Sequence, residues 1–312
     1  MERYSADFVP NPFGLMNTGS ICYFNSLMQA IVGCPALNSA VLDAARTKTA
    51  MAYRDFVRSR TVAPEHTPPV LQVLLGDVSP ARRAKFGNGQ ECASEAFMYF
   101  SEAIGDEFSD LFSYAYSCDV FCPACDGVVS NSRDSSTQLD LFFLGNAFVE
   151  PDAADGRPTA ACASDQPRAD SEFIQQIMRH RQVLDDYECP VCRGKGEKIR
   201  TYNLVRLPDI LVCIFDIYGF KHPRPVVPRY FPRRFEVPAR DGGQLGYRLV
   251  GQVEHFGSMG GGHYVARGLR RDGRVYNFND SAVSPGEFAA TPNTYMVVYH
   301  IENCPDRFAR AR

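Results

Sequence analysis

The spacing of apolar positions changes part-way along the chain. After Cys22, Leu27, Ala30 and Ile31 fall near helical intervals, and Gly33-Cys34-Pro35 supplies a stop. The Ala- and Leu-rich sequence continuing to about Arg60 predicts two or three helices broken near Pro35, and the prolines of Val62–Pro69 predict a loop. Asn88-Gly-Gln-Glu91 has the form of an N-cap with a Glu three residues on. Ala93, Phe97, Phe100 and Ile104 then line one side of a helix. Near Asp110 the character shifts. Phe112–Val120 and Val128–Phe143 are richer in aromatic and β-branched residues, with Ser/Asn/Asp turns between them. Asn146–Asp170, with its prolines, alanines and aspartates, predicts a mobile surface loop, and Ser171–Asp186 a stretch containing a helix. Tyr202–Tyr218 is strand-like, and its Ile210-Leu-Val-Cys-Ile-Phe215 run suits a strand buried on both faces. Tyr247, Leu249 and Val253 alternate with Arg248 and Glu254 as in a half-buried strand, and Val275–Asn279 and Tyr295–His300 predict further strands. Helices come first and strands follow, so the expected class is α+β.

At 312 residues, with 45% hydrophobic and 22% charged content, the chain is long enough for a large core. A net charge of −3 argues against broad nucleic-acid binding. Apolar runs are too short for a membrane span, and Met1 is followed by Glu2, Arg3 and Tyr4 rather than by an apolar leader. Eleven cysteines, four of them in two Cys-x-x-Cys pairs, fit reduced thiols and metal better than disulfides. The expected compartment is cytosol or nucleus.

Three constellations carry chemistry. Gly14-Leu-Met-Asn17-Thr-Gly19-Ser-Ile-Cys22 reads as a tight turn delivering a cysteine to a helix N-terminus, where the macrodipole favours thiolate. Asn17 is positioned to aim an amide at the carbonyl oxygen under attack. Cys122-Pro-Ala-Cys125 and Cys189-Pro-Val-Cys192 together supply four thiolates for a closed tetrahedral Zn²⁺ site, with Cys118 a nearby spare. Their wide separation places the pairs at the tips of two hairpins. His255-Phe-Gly-Ser-Met-Gly-Gly-Gly-His263-Tyr264 sets a histidine beyond three glycines, suited to activate a thiol and then protonate a leaving amine. Val275-Tyr-Asn-Phe-Asn279-Asp280 ends in two candidate orienting groups. In a regular strand they face opposite ways, so only one of Asn279 and Asp280 can hold His263.

Together these stretches resemble the ubiquitin-specific protease family of deubiquitinating enzymes. Gly14–Gln29 is similar to its Cys box, Gly262-His263-Tyr264 to its His box, and Phe278-Asn279-Asp280-Ser281 to the segment of its third triad residue. The resemblance implies a papain-like cysteine protease: a helical thumb within residues 1–110, zinc-bearing fingers over 111–200, a β-rich palm over 201–302, and a tail over 303–312. It implies Cys22 as nucleophile, His263 as general base and acid, Asn279 as its orienting residue with Asp280 as the alternative, and Asn17 in the oxyanion hole. The implied substrate is the C-terminal tail of ubiquitin on ubiquitinated proteins, met by Gln90, Glu95, Gly262 and Tyr264. Cys92 stands where the family has an Asp, which bears on affinity for the tail or on modifier preference. Two other readings are a ubiquitin-binding member that no longer cuts and a protease for another ubiquitin-like modifier.

Overall fold

The computed structural model describes residues 8–58, 69–77, 91–141, 166–218, 228, 230–238, 242–258 and 260–303. Its N-terminal part is helical: α1 Cys22–Ile31, α2 Pro35–Ala44, α3 Lys48–Arg58, α4 Pro69–Asp77, α5 Ala93–Ala103 and the single turn α6 Asp106–Ser109. Pro35 opens α2 at a position whose N–H has no intrahelical partner anyway, so the predicted break doubles as a start signal. All ten residues of α1 are buried, including Asn25, Ser26 and Gln29. A helix buried all round must satisfy its polar side chains locally. Gln29 Nε2 does so by donating to the Phe13 carbonyl at 2.7 Å. Edge-to-face ring pairs join α3 to α5 through Tyr53–Phe100 at 5.4 Å and α5 to the turn after α6 through Phe97–Phe112 at 5.1 Å.

Two sheets follow. One is antiparallel, in the order β2-β1-β5-β4, from β1 Tyr114–Cys122, β2 Gly127–Ser136, β4 Arg179–Leu184 and β5 Lys198–Arg206. The other has eight strands and runs β11-β10-β9-β8-β12-β6-β3, with β7 also paired to β8. Its members are β3 Leu139–Leu141, β6 Ile210–Phe215, β7 Arg234–Pro238, β8 Gln244–Ser258, β9 Gly261–Leu269, β10 Val275–Asn279, β11 Ala282–Gly286 and β12 Thr294–Asn303. Helix α1 packs against β8, β9 and β10, which brings the start of the helix to the strands that follow the glycines. The mixed helix-and-sheet class expected from the sequence is the one found.

Several local expectations change. The helix predicted in Ser171–Asp186 is α7 Gln166–Met178; it begins inside the stretch read as loop and ends early, giving way to β4. Ala169, Phe173 and Ile177, four apart, form its buried face, and Phe173 meets the rings of Phe235 and Tyr299 at 5.8 and 5.9 Å. The rest of the expected loop, 146–165, lies outside the described residues, as do Asn88 and Gln90. Tyr202–Tyr218 is not one strand: β5 and β6 belong to different sheets, and the chain changes over at Leu207-Pro208-Asp209. Strand β8 is buried well beyond alternation. Glu254 is only 2% exposed because Arg267 Nη2 at 3.0 Å and the Thr291 hydroxyl at 2.6 Å satisfy its carboxylate.

His300 on β12 accepts the Ala36 backbone N–H through Nε2 at 3.2 Å, and burial lowers its pKa from 6.5 to about 4. The folded state therefore binds this proton less readily than the unfolded one, and the stability from neutral His300 is lost as pH falls from about 6.5 towards 4. The shift is worth up to about 3 kcal/mol. Urea unfolding at pH 7 and pH 4.5 should show a shallower loss of stability in His300→Gln than in the parent; equal losses would refute this assignment.

Candidate active site

Cys22 is the first residue of α1, after Ile21 as N-cap, and no side chain caps this end. The preceding turn is built by Asn17, whose Oδ1 accepts the backbone N–H groups of Gly19 at 3.3 Å and Ile21 at 3.1 Å. Gly19 and Ser20 both take positive φ, 127° and 54°. This explains Gly19, while Ser20 bears the cost of a left-handed conformation where the chain reverses before the helix. The thiol is buried at 2% exposure. Burial, the largest influence, pushes it above its ordinary range; a hydrogen bond with the Tyr264 backbone opposes this, and the Asp280 carboxylate pushes it up again. The thiolate expected from the helix N-terminus is thus outweighed in this conformation.

His263, on β9, is the residue next to Tyr264, whose backbone meets the Cys22 thiol. His263 Nε2 lies 2.7 Å from Asn279 Oδ1 at the end of β10 and 3.9 Å from Asp280 Oδ2. The alternation argument fails at this point. Asp280 has a φ of 50°, outside the strand region, and this turn returns its side chain towards His263 alongside Asn279. The Asp280 carboxylate accepts from Asn17 Nδ2 at 3.0 Å and Asn25 Nδ2 at 2.8 Å, while its carbonyl accepts the Leu15 N–H at 2.9 Å. One aspartate therefore binds the loop before Cys22, the helix after it and the strand end beside His263.

The other candidates surround this centre. Gly262 is in register opposite Gly257, and a Cβ there would stand 2.6 Å from His255 Nε2, so its hydrogen is required by close approach. The glycines thus form the end of a hairpin packed over His255. Tyr264 is buried at 6% exposure, with its ring 4.2 Å from that of His255. Glu95, in the first turn of α5, accepts from the Tyr99 hydroxyl at 2.8 Å. Cys92 is the α5 N-cap, its sulfur 2.7 Å from the Tyr295 hydroxyl and 3.0 Å from that of Ser94. Gln90 lies outside the described residues.

Away from this centre, Cys122, Cys125, Cys189 and Cys192 converge, their sulfurs all within 4.8 Å of one another, an arrangement that could hold a metal ion. The first pair caps the β1–β2 hairpin, the second lies in the β4–β5 connection, and pairing of β1 with β5 brings the tips together. Asp126 and Arg193, each following a pair, take φ of 50° and 59°. The Cys189 sulfur accepts the backbone N–H groups of Val191 and Cys192, both at 3.4 Å. Such bonds favour the thiolate, and the four-sulfur donor set suits a closed structural site. Cys118 pairs with Ser132 and Tyr202 within the sheet, outside this cluster.

The model of the family described as ubiquitin carboxyl-terminal hydrolase matches residues 13–299. The chain belongs to the ubiquitin carboxyl-terminal hydrolase family. The resemblance to ubiquitin-specific proteases read from the sequence is thereby borne out. Ubiquitin carboxyl-terminal hydrolase 36 of Drosophila simulans is 33% identical over 93% of this chain and 31% of its own length. That of Drosophila mojavensis is 36% identical over 39% of this chain and 11% of its own. This chain spans at most about a third of those relatives. In fold it is similar to the SAGA DUB module Ubp8 chain bound to monoubiquitin (TM-score 0.63, 19% identity, 98% of this chain and 71% of that one). A second such structure, bound to ubiquitin aldehyde, gives TM-score 0.65 at 18% identity, over 98% of this chain and 71% of that one.

The sequence assigns no role to Asn25 or Tyr295. Asn25 is three residues after Cys22, a polar side chain on an apolar helix, and that mismatch was its available signal. Tyr295 sits among strand residues without any such sign. Removing the Asp280 charge should lower the Cys22 pKa. The pH profile of Cys22 alkylation by iodoacetamide should therefore move to lower pH in Asp280→Asn; an unmoved or upward profile would contradict the coupling.

Proposed function

We propose that this chain is a deubiquitinating thiol protease that hydrolyses the isopeptide or peptide bond after the C-terminal glycine of ubiquitin. The observation that carries this reading is the 2.7 Å contact between His263 and Asn279, made beside the backbone group that meets the Cys22 thiol. Asn279 Oδ1 accepts from Nε2–H, which leaves Nδ1 to take the Cys22 proton. The resulting thiolate attacks the glycine carbonyl carbon. The oxyanion is met by the Cys22 backbone N–H and by the Asn17 amide hydrogen not given to Asp280. Collapse breaks the C–N bond, His263 protonates the departing lysine amine, and a thioester remains on Cys22. Water, losing its proton to His263, then hydrolyses the thioester and restores the thiol.

Ubiquitin as substrate is supported by the family and by fold neighbours whose structures hold monoubiquitin or ubiquitin aldehyde. In this reading Gly262 and Tyr264 line the passage for the tail, and Glu95, with Gln90, meets its polar groups. Asp280 holds the Asn17 loop and shares the orientation of His263. The four clustered cysteines hold structural Zn²⁺, which ties the two hairpins of the smaller sheet and takes no part in the chemistry. Free thiols throughout the described residues suit a reducing compartment, cytosol or nucleus.

A ubiquitin bearing a C-terminal thiol-trapping electrophile should form a one-to-one adduct with the parent and none with Cys22→Ala. His263→Ala should lower kcat by about 10²–10⁴-fold. An adduct in Cys22→Ala would overturn the assignment of the nucleophile. Cys92 offers a thiol, already engaged by Tyr295 and Ser94, and no carboxylate, which favours one second reading: a preference for another ubiquitin-like modifier. Parallel hydrolysis of tagged modifiers decides between them. Elemental analysis should find one zinc per chain, lost in Cys189→Ser together with thermal stability; a metal-free, equally stable parent would refute the zinc site.

A further inference from the structure

Arg270 is among the largest fully buried side chains, 2% exposed, and lies outside every motif singled out in the sequence. Its Nη2 donates to the Gln29 carbonyl at 3.1 Å and also to Gln29 Oε1, and its Nη1 donates to the Leu269 carbonyl at 2.9 Å. The guanidinium lies 4.1 Å over the Phe278 ring. Among the described residues its Nε has no partner and no carboxylate is paired with it. Burial pushes its pKa down to about 9, which leaves it charged at neutral pH.

An unpaired charge is costly to bury, and removing it from water is compensated only where fixed dipoles face it. Here they do. Gln29 is in the last turn of α1, where carbonyls lack intrahelical partners and the helix dipole is negative. The π face of Phe278 adds a second attraction. Gly268 completes the arrangement: a Cβ there would stand 2.5 Å from Arg270 Nη1 and 2.8 Å from the Gln29 carbonyl. The same cation thus grips the far end of the helix that begins with Cys22 and the ring that immediately precedes Asn279.

We infer that Arg270 is a positioning residue, setting where α1 and hence Cys22 stand against the strand that carries Asn279. The inference rests on the proposed Cys22–His263–Asn279 chemistry. Arg270→Lys keeps a cation but loses the planar fork, and Arg270→Met keeps most of the volume without charge. Both are compared with Gly268→Ala, whose added methyl crowds Arg270 Nη1 and the Gln29 carbonyl together. With a ubiquitin C-terminal fluorogenic substrate, kcat should fall about tenfold or more in Arg270→Lys and Gly268→Ala, with KM held within about twofold. The rate of Cys22 alkylation by iodoacetamide, read across pH, should change in the same two variants, and melting temperature should not track the loss. Wild-type kcat in a folded Arg270→Lys, or a kcat loss that only follows unfolding, would overturn the role. If the parent itself fails to turn over ubiquitin, the substrate reading falls. The alkylation profile alone then decides: a changed profile supports Arg270 and an unchanged one refutes it.

Discussion

The candidate site depends on one residue leaving the β conformation. Asp280 follows the last residue of β10, and its φ of 50° turns the chain so that its carboxylate faces the Cys22 loop. From there it accepts both Asn17 and Asn25, while its backbone carbonyl takes the Leu15 N–H. The loop before the helix, the first turn of the helix and the strand bearing Asn279 are thereby joined at one point. A non-glycine residue in this region carries a conformational cost. Hydrogen bonds to a charged acceptor, individually about 1.5–3 kcal/mol, are of the size needed to hold it there.

The same clamp has an electrostatic consequence. A carboxylate near Cys22 opposes ionisation, and burial opposes it more strongly. Both effects favour the protonated thiol in the free protein, and the proposed chemistry requires His263 to accept that proton as attack begins. Asp280 Oδ2 lies 3.9 Å from His263 Nε2, so the carboxylate that discourages an isolated thiolate also stands beside the proposed proton acceptor.

The smaller sheet solves a different problem. Strand β2 is largely exposed, with no residue fully buried. A metal held by the four-sulfur cluster, as proposed, would link the hairpin tips where packing is sparse. At the other extreme, the large sheet surrounds α1 so closely that Gly251 and Gly268 are needed where backbone meets backbone.

The sequence by itself determined the order of elements and the chemistry available. Helical spacing after Cys22, the apolar run of β6, the two Cys-x-x-Cys pairs and the Cys, His and Asn segments were all legible, because each depends on local spacing or on residue type. Tertiary structure alone decided which groups meet. Glu254 looked like a solvent-facing residue until Arg267 and Thr291 were placed beside it, and the loop-like composition before Ser171 concealed the start of a helix whose apolar face needed Phe235 and Tyr299 to cover it. Asn279 and Asp280 appeared as alternatives because strand alternation is a rule of regular backbone, and a single positive φ suspends it. Asn25 showed in the chain only as a polar residue on an apolar helix and Arg270 not at all, since Asp280 and Gln29, which they meet, are remote from them in sequence and their roles exist only once α1 lies against β9 and β10.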